Sequence, residues 1–351
     1  MERYVGMDVH AESCSVTVRK ASGKVIRRDI VETNGQALTR YLETLGGNLH
    51  LCVEECEWSN WLADVLMPHV AEFVVVQPER RRGSKSDRID ADGLSERIRT
   101  GKLGRTVFKD RGCFTELREF GRAYTMISKD VTRTKNRIKS FCRGRGMKTP
   151  GTAVYDRERS RPVLTKLPSA TEWAVELLQA QLHGLEELKQ EAKDQMVGEA
   201  RTHPIYRVLK TAPGFGPVRV AQLMRLIVTP HRFRTKRQLW KYSGFAIVTV
   251  SSSDWVQRGG RWVRSEMEQT RGLNRDHNRL LKDIFKGAAI TALHQSEPNP
   301  LRVHYDRLLA NGTKPNLAKL TIARKIAAIV LTMWKKEEVY QPELVGTGTE
   351  P

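Results

Sequence analysis

Two spacings of apolar residues alternate along the first hundred positions. Tyr4 to Val9 is a short apolar run of the kind a buried strand carries. Cys14 to Arg19 alternates β-branched with polar residues, Ser22-Gly23 makes a turn, and Val25 to Val31 reads as a returning strand. Three antiparallel strands are therefore predicted at the start. Ala37 to Leu45 changes to helical spacing and stops at Gly46-Gly47. Leu49 to Val53 is again a strand, Trp58 to Met67 a helix, and Phe73 to Val76 a strand ended before Pro78. A basic run, Arg80-Arg81-Arg82, leads into a helix expected from about Asp87 to Arg99.

The pattern then changes. Glu116 to Arg145 is helical and strongly basic, with Arg118, Arg122, Lys129, Arg133, Lys135, Arg137, Lys139, Arg143 and Arg145 set among Leu117, Phe120, Ile127, Ile138 and Phe141. Gly146 to Pro168 is interrupted by Pro150, Pro162 and Pro168 and reads as a connector. Thr171 to Gly198 is a long helix with Leu178, Leu182, Leu185 and Leu188 along one side, which suits either a coiled-coil arm or a core helix. From Thr202 to Tyr340 the chain is predicted mostly helical, apart from a hairpin at Trp255 to Val263 around Gly259-Gly260. These elements predict three domains: an α/β domain with a basic helical extension over 1–147, a connector and long helix over 148–201, and a mainly α domain over 202–345.

Charge narrows the partners. Lys plus Arg number 60 against 40 for Asp plus Glu, a formal charge of +20, and the excess is clustered. A polyanion is the expected partner, because it releases counterions on binding. The five cysteines are odd in number and contain no CxxC, so neither a disulfide framework nor a zinc knuckle is indicated; Cys52 and Cys56 read as buried thiols. No apolar N-terminal segment is present, and the longest apolar run, Ile326 to Trp334, is too short to span a bilayer. A reducing cytoplasm and no membrane are expected.

Four acids interrupt this apolar pattern where strands and a helix should pack. Asp8 ends the first strand, and Glu54 follows Leu49 to Val53. Asp87 and Asp90 stand at i,i+3 on one helix, with Leu94 and Ile98 continuing their face. Acids aimed at a core interface are costly unless compensated. Carboxylates suit Mg²⁺, and two such ions can activate a nucleophile and stabilise the leaving oxygen in phosphodiester displacement. Glu55 is an alternative to Glu54 and Asp92 a spare; Asp87 alone also suits a helix start.

At these residues the sequence resembles a known family. Val5-Gly6-Met7-Asp8-Val9, Cys52-Val53-Glu54 and Lys85-Ser86-Asp87-Arg88-Ile89-Asp90-Ala91 resemble the Asp-Glu-Asp-Asp signature of insertion sequence family 110 transposases. Leu209 to Gly216, Leu239 to Phe245, Arg271 to Arg275 and Phe285 to Ala289 resemble that family's C-terminal blocks. The resemblance implies an RNase H-like (RuvC-like) first domain, a metal site at Asp8, Glu54, Asp87 and Asp90 holding two Mg²⁺ ions, and a mainly α transposase domain. It also implies a serine nucleophile after the block that ends at Phe245, which counting from Gly244 places at Ser252. Ser253 stands where the family has a glycine, so Ser251, Ser252 and Ser253 all stay open.

The partners implied are donor and target DNA, a structured non-coding bridge RNA from the element, and further copies of the chain in a dimer or tetramer, in a prokaryotic, DNA-associated setting. Arg80, Arg81, Arg82, Arg133, Lys135, Arg137 and Lys139 would hold nucleic-acid backbones. Gly214 and Gly216, in Pro213-Gly214-Phe215-Gly216, resemble a helix-hairpin-helix contact in which glycines allow a tight turn and the next helix start holds a phosphate. The alternatives are a metal-dependent junction nuclease using activated water, and a nucleic-acid-binding scaffold with a decayed metal site.

Overall fold

In the computed structural model, which describes residues 1–78, 87–104, 106, 114–149, 151–250, 255–264, 269–295 and 299–342, the predicted opening strands form. They are β1 (Glu2–Val9), β2 (Ser13–Lys20) and β3 (Val25–Glu32), paired antiparallel. The helix α1 (Gly35–Leu45) follows, its first turn capped by the Asn34 side chain, which accepts from the Gln36 and Ala37 amides. Next come β4 (Asn48–Glu54), α2 (Ser59–Leu66), β5 (Glu72–Val76) and α3 (Asp87–Thr100). β4 runs parallel to β1, and β5 parallel to β4, giving a mixed sheet ordered β3-β2-β1-β4-β5.

Strand alternation divides the apolar residues between the two faces of this sheet. Val5, Met7, Val16, Leu51 and Val53 pack with Leu38, Leu42, Leu62 and Leu66 of α1 and α2. The other face carries Cys52 and Val76, covered by Leu94 and Ile98 of α3. Gly6 lies beneath that helix. A Cβ there would stand 2.9 Å from Leu94 Cβ and closer still to the Ala91 carbonyl oxygen and the Ser95 amide nitrogen. The missing side chain lets α3 lie against β1.

The chain divides into two compact units, Met1–Asp110 and Arg111–Pro351. The second begins with α4 (Thr115–Arg143), so the basic helix groups with the C-terminal unit rather than with the sheet. After a 3-10 turn at Ala153–Tyr155, α5 (Arg157–Leu164) occupies the expected connector, started by the Asp156 side chain. The long helix α6 (Ser169–Thr202) packs antiparallel on α4: Leu117 clusters with Met196 and Ala200, while Ile138 and Cys142 cluster with Val175 and Leu182. Much of the leucine row of α6 is therefore taken up within this chain, with Leu182 buried and Leu178 and Leu185 partly buried; Leu188 stays 51% exposed.

The remaining helices are α7 (Ile205–Lys210), α8 (Pro217–Ile227), α9 (Lys236–Tyr242), α10 (Arg279–Leu293), α11 (Pro300–Ala310) and α12 (Pro315–Lys336), around a core that includes Phe215, Phe245, Phe285 and Trp334. Between α9 and α10 the expected hairpin forms from β7 (Trp255–Arg258) and β8 (Arg261–Arg264). The sequence does not predict a second ribbon that the structure contains: β6 (Ile247–Val250) pairs with β9 (Gln269–Leu273), which has almost no apolar alternation to announce it. No helix among the described residues is long and apolar enough to cross a membrane.

Candidate active site

The sheet brings three of the four predicted acids to one end. Asp8 and Glu54 each follow a paired residue of two neighbouring parallel strands, Met7 and Val53. By alternation Asp8 shares the face of Gly6, and Glu54 that of Cys52, so both lie on the side covered by α3. α3 runs antiparallel to β1, because Ala91 to Ser95 lie over Gly6 while Arg99 reaches Ala21 past the other end of the sheet. Its first turn therefore lies toward the ends of β1 and β4 that carry Asp8 and Glu54. Asp90 sits in that turn, on the same helix face as the buried Leu94 and Ile98. Asp87 opens the helix; its side chain lies outside the described residues, as do Arg80, Arg81 and Arg82.

The Asp8 carboxylate is only 17% exposed and lies 3.3 Å from Nε2 of His10. Nothing in the sequence singles out His10, since an isolated histidine after a strand carries no signal. An all-carboxylate set at one sheet end is chemically suited to a hard divalent cation. Among the described residues no group of three or more His, Cys, Asp and Glu side chains is assembled closely enough to hold an ion.

The spare acids have other duties. Asp92 accepts two hydrogen bonds from Arg28, at 3.0 and 2.8 Å, and one from the Thr17 hydroxyl at 2.7 Å. Arg28 holds its carboxyl below the ordinary value, against the opposing effect of burial and with help from Thr17. Asp92 thus ties α3 to β2 and β3 instead of joining Asp90. Glu55 is exposed and lies beyond β4, with its amide donating to Val76. Burial pushes the Cys52 thiol up to about 12, so it is an inert neighbour, while Cys56 is only half-buried.

In the second unit, residues 251–254, which include Ser251, Ser252 and Ser253, lie outside the described residues, between the end of β6 and the start of β7. The glycine turn before α8 has a packing reason. Gly214 has φ +75°, and a Cβ on it would come within 3.0 Å of the Ala288 Cα and closer still to the Ala288 carbonyl. Its own carbonyl accepts from Arg219 at 2.8 Å. Gly216 precedes α8 as its N-cap, with open space where a Cβ would be.

The basic residues of α4 separate into two sets. Arg122, Lys129, Arg133 and Arg137 are exposed at helical spacing. Arg133 also pairs with Asp130 at 2.9 Å. Lys135 instead pairs with Glu186 of α6 at 2.6 Å, and both Lys135 and Lys139 lie over the Tyr155 ring. Lys135 thus links α4 to α6, and both lysines lie against the 3-10 turn that carries Tyr155.

Two family models match the chain. One, described as a transposase of the DEDD, IS110 type, matches residues 5–144, a span that includes the sheet, α3 and α4; the other, described as transposase IS116/IS110/IS902 family, matches residues 206–302. No curated protein matches. The first match contains all four predicted acids and the second the serine segment, and together they take in most of both units; the chain belongs to the IS110 family of transposases, enzymes that recombine DNA.

Proposed function

We propose that this transposase cuts and rejoins element and target DNA by joining a metal-assisted carboxylate site to a serine nucleophile. The observation that supports this reading is that strand register and the direction of α3 put Asp8, Glu54 and Asp90 toward the same end of the sheet. The strand order, three antiparallel and two further parallel strands with acids at the ends of β1 and β4, supports an RNase H-like first domain. Asp8, Glu54, Asp87 and Asp90 would hold two Mg²⁺ ions. Divalent ions bound there supply Lewis-acid stabilisation of charge on the scissile phosphate. The Ser252 hydroxyl gives up its proton as Oγ bonds to phosphorus, and the leaving sugar oxygen takes up a proton as its bond to phosphorus breaks, giving a covalent protein–DNA link that strand exchange later reverses. Arg80 to Arg82, the exposed α4 arginines and Gly216 would hold backbones. A bridge RNA would choose the sites by base pairing, and a dimer or tetramer would hold the DNA ends together.

Denaturing gels of protein on end-labelled element DNA, with RNA from the element's end, test this. Wild type should give a covalent band; Ser252→Ala should remove it and keep DNA binding, and Asp8→Ala should abolish cleavage without lowering the metal-free melting temperature. Loss of the band in Ser251→Ala or Ser253→Ala alone moves the nucleophile by one residue. The presence of Ser253 in the family's glycine position favours a second reading, in which water attacks. Nicked DNA with no covalent band, undiminished in all three serine variants, would establish that reading instead.

A further inference from the structure

The hairpin β7–β8 presents two large aromatic rings to solvent. Trp255 is 59% exposed and Trp262 is 66% exposed, and neither belongs to a core cluster of the described residues. Pairing sets Trp255 against Arg264 and Gln257 against Trp262. Residues two apart on a strand share a face, as do directly paired residues, so Trp255, Gln257 and Trp262 lie on one side as diagonal neighbours. Among the described residues the ribbon is a sheet of two strands. Such a ribbon is marginal in water by itself. Its turn is nonetheless well specified: Gly259 and Gly260 have φ of +57° and +78°, the left-handed pair that a tight two-residue hairpin turn requires.

Chemistry indicates the occupant. The segment Trp255 to Arg264 carries Arg258, Arg261 and Arg264 and no acid. By the same alternation Arg264 takes a position on the tryptophan side, while Arg258 and Arg261, paired beside the turn, take positions on the other. An acid-free, cationic ribbon that exposes aromatic faces fits a polyanion that offers flat rings, which is a nucleic acid with unpaired bases. A paired duplex hides its base faces in the stack, whereas strand exchange exposes them between cutting and rejoining. The family acts on DNA. We infer that the β7–β8 ribbon is a base-stacking arm that holds an unpaired DNA strand, with Trp255 and Trp262 as stacking platforms and arginines of the ribbon drawing in the phosphates. This assignment is independent of which group is the nucleophile.

The test measures binding of the full chain to two labelled DNA duplexes of equal length, one fully paired and one with a short unpaired bubble. Equal phosphate numbers keep the salt-dependent part of binding matched. Wild type should prefer the bubble. Trp255→Ala and Trp262→Ala should each weaken bubble binding by about tenfold and change duplex binding less than about twofold. Trp→Phe should recover most of the loss and Trp→Leu should not, because leucine is apolar but has no ring face. Both rings are exposed, so melting temperatures should stay at the wild-type value. Equal loss on both DNAs, full binding by the leucine variants, or no bubble preference in wild type would overturn the inference. So would a loss confined to single-stranded RNA of the same sequence. A change in sedimentation mass of the variants with unchanged bubble binding would overturn it in favour of a second copy of the chain as occupant.

Discussion

Gly6→Ala tests how α3 is positioned. The added Cβ would lie 2.9 Å from Leu94 Cβ, where carbon atoms normally settle at about 3.5–4.0 Å. It would lie nearer still to the Ala91 carbonyl oxygen and the Ser95 amide nitrogen. Those two are backbone atoms, so no rotamer change relieves the clash, and the helix must retreat by on the order of 1 Å. Overpacking of this kind costs about 1–3 kcal/mol. Asp87 and Asp90 would move with the helix, away from Asp8 and Glu54. A misplacement of about 1 Å in reacting groups can lower a rate by about 100-fold. Thermal unfolding and cleavage of end-labelled DNA in Mg²⁺ read the two effects. Gly184→Ala is the matched control: Gly184 lies within α6 and a Cβ there meets nothing within 4 Å, so alanine should stabilise by about 0.5–1 kcal/mol and leave cleavage unchanged. A Gly6→Ala protein that melts and cuts like wild type would refute the idea that this close approach positions the acids.

Two further outcomes are expected. Asp92→Asn should destabilise the first unit at neutral pH; because Arg28 lowers the folded-state pKa of Asp92, that stabilisation is complete above the unfolded carboxylate pKa and is lost as pH falls through the folded one. The melting-temperature gap between variant and wild type should therefore close on acidification, and a gap independent of pH would contradict it. Reversing Arg122, Lys129, Arg133 and Arg137 to Glu should flatten the slope of log affinity against log salt by roughly 0.9 for each phosphate that is no longer neutralised, whereas Lys135→Glu should mainly lower stability through its pair with Glu186. An unchanged slope in the fourfold variant would leave that face merely solvated.

Strands and helices are legible in the sequence wherever one face is buried, because burial imposes a period. The alternation in β1 to β3 and the row Asp90, Leu94, Ile98 both survive in the structure. Pairing made by a neighbour is not legible. β9 is a strand because β6 pairs with it, and nothing in Gln269-Thr270-Arg271-Gly272-Leu273 requires that by itself. The same holds for side-chain roles. Lys135 and Arg137 look alike in the sequence, yet one reaches Glu186 and the other is exposed, since two positions along a helix turn a side chain to nearly the opposite side. Gly214 reads as a phosphate contact because a Pro-Gly turn before a helix suits one; the nearness of α10, which allows no side chain there, is a tertiary fact.

Asp90 and Asp92 carry this distinction into the candidate site. Both lie in the first half of α3, and composition cannot separate them. Two residues apart on a helix, they face different elements. Asp90 lies on the row that continues into the buried Leu94 and Ile98, while Asp92 reaches Thr17 and Arg28 on the flanking antiparallel strands. The helix is therefore fixed from two directions: Gly6 sets how close it lies to β1, and the Asp92–Arg28 pair draws it toward β2 and β3. Ser95 adds to the second, accepting from Arg19 at 2.9 Å. On the proposed reading, in which acids at the first turn of α3 and at the strand ends hold hard cations, support of this kind matters because like charges repel one another when no cation lies between them. The ties from β2 and β3 reach α3 through Asp92 and Ser95 rather than through Asp90, so on that reading the helix is seated by groups other than the acids that would bind the cations.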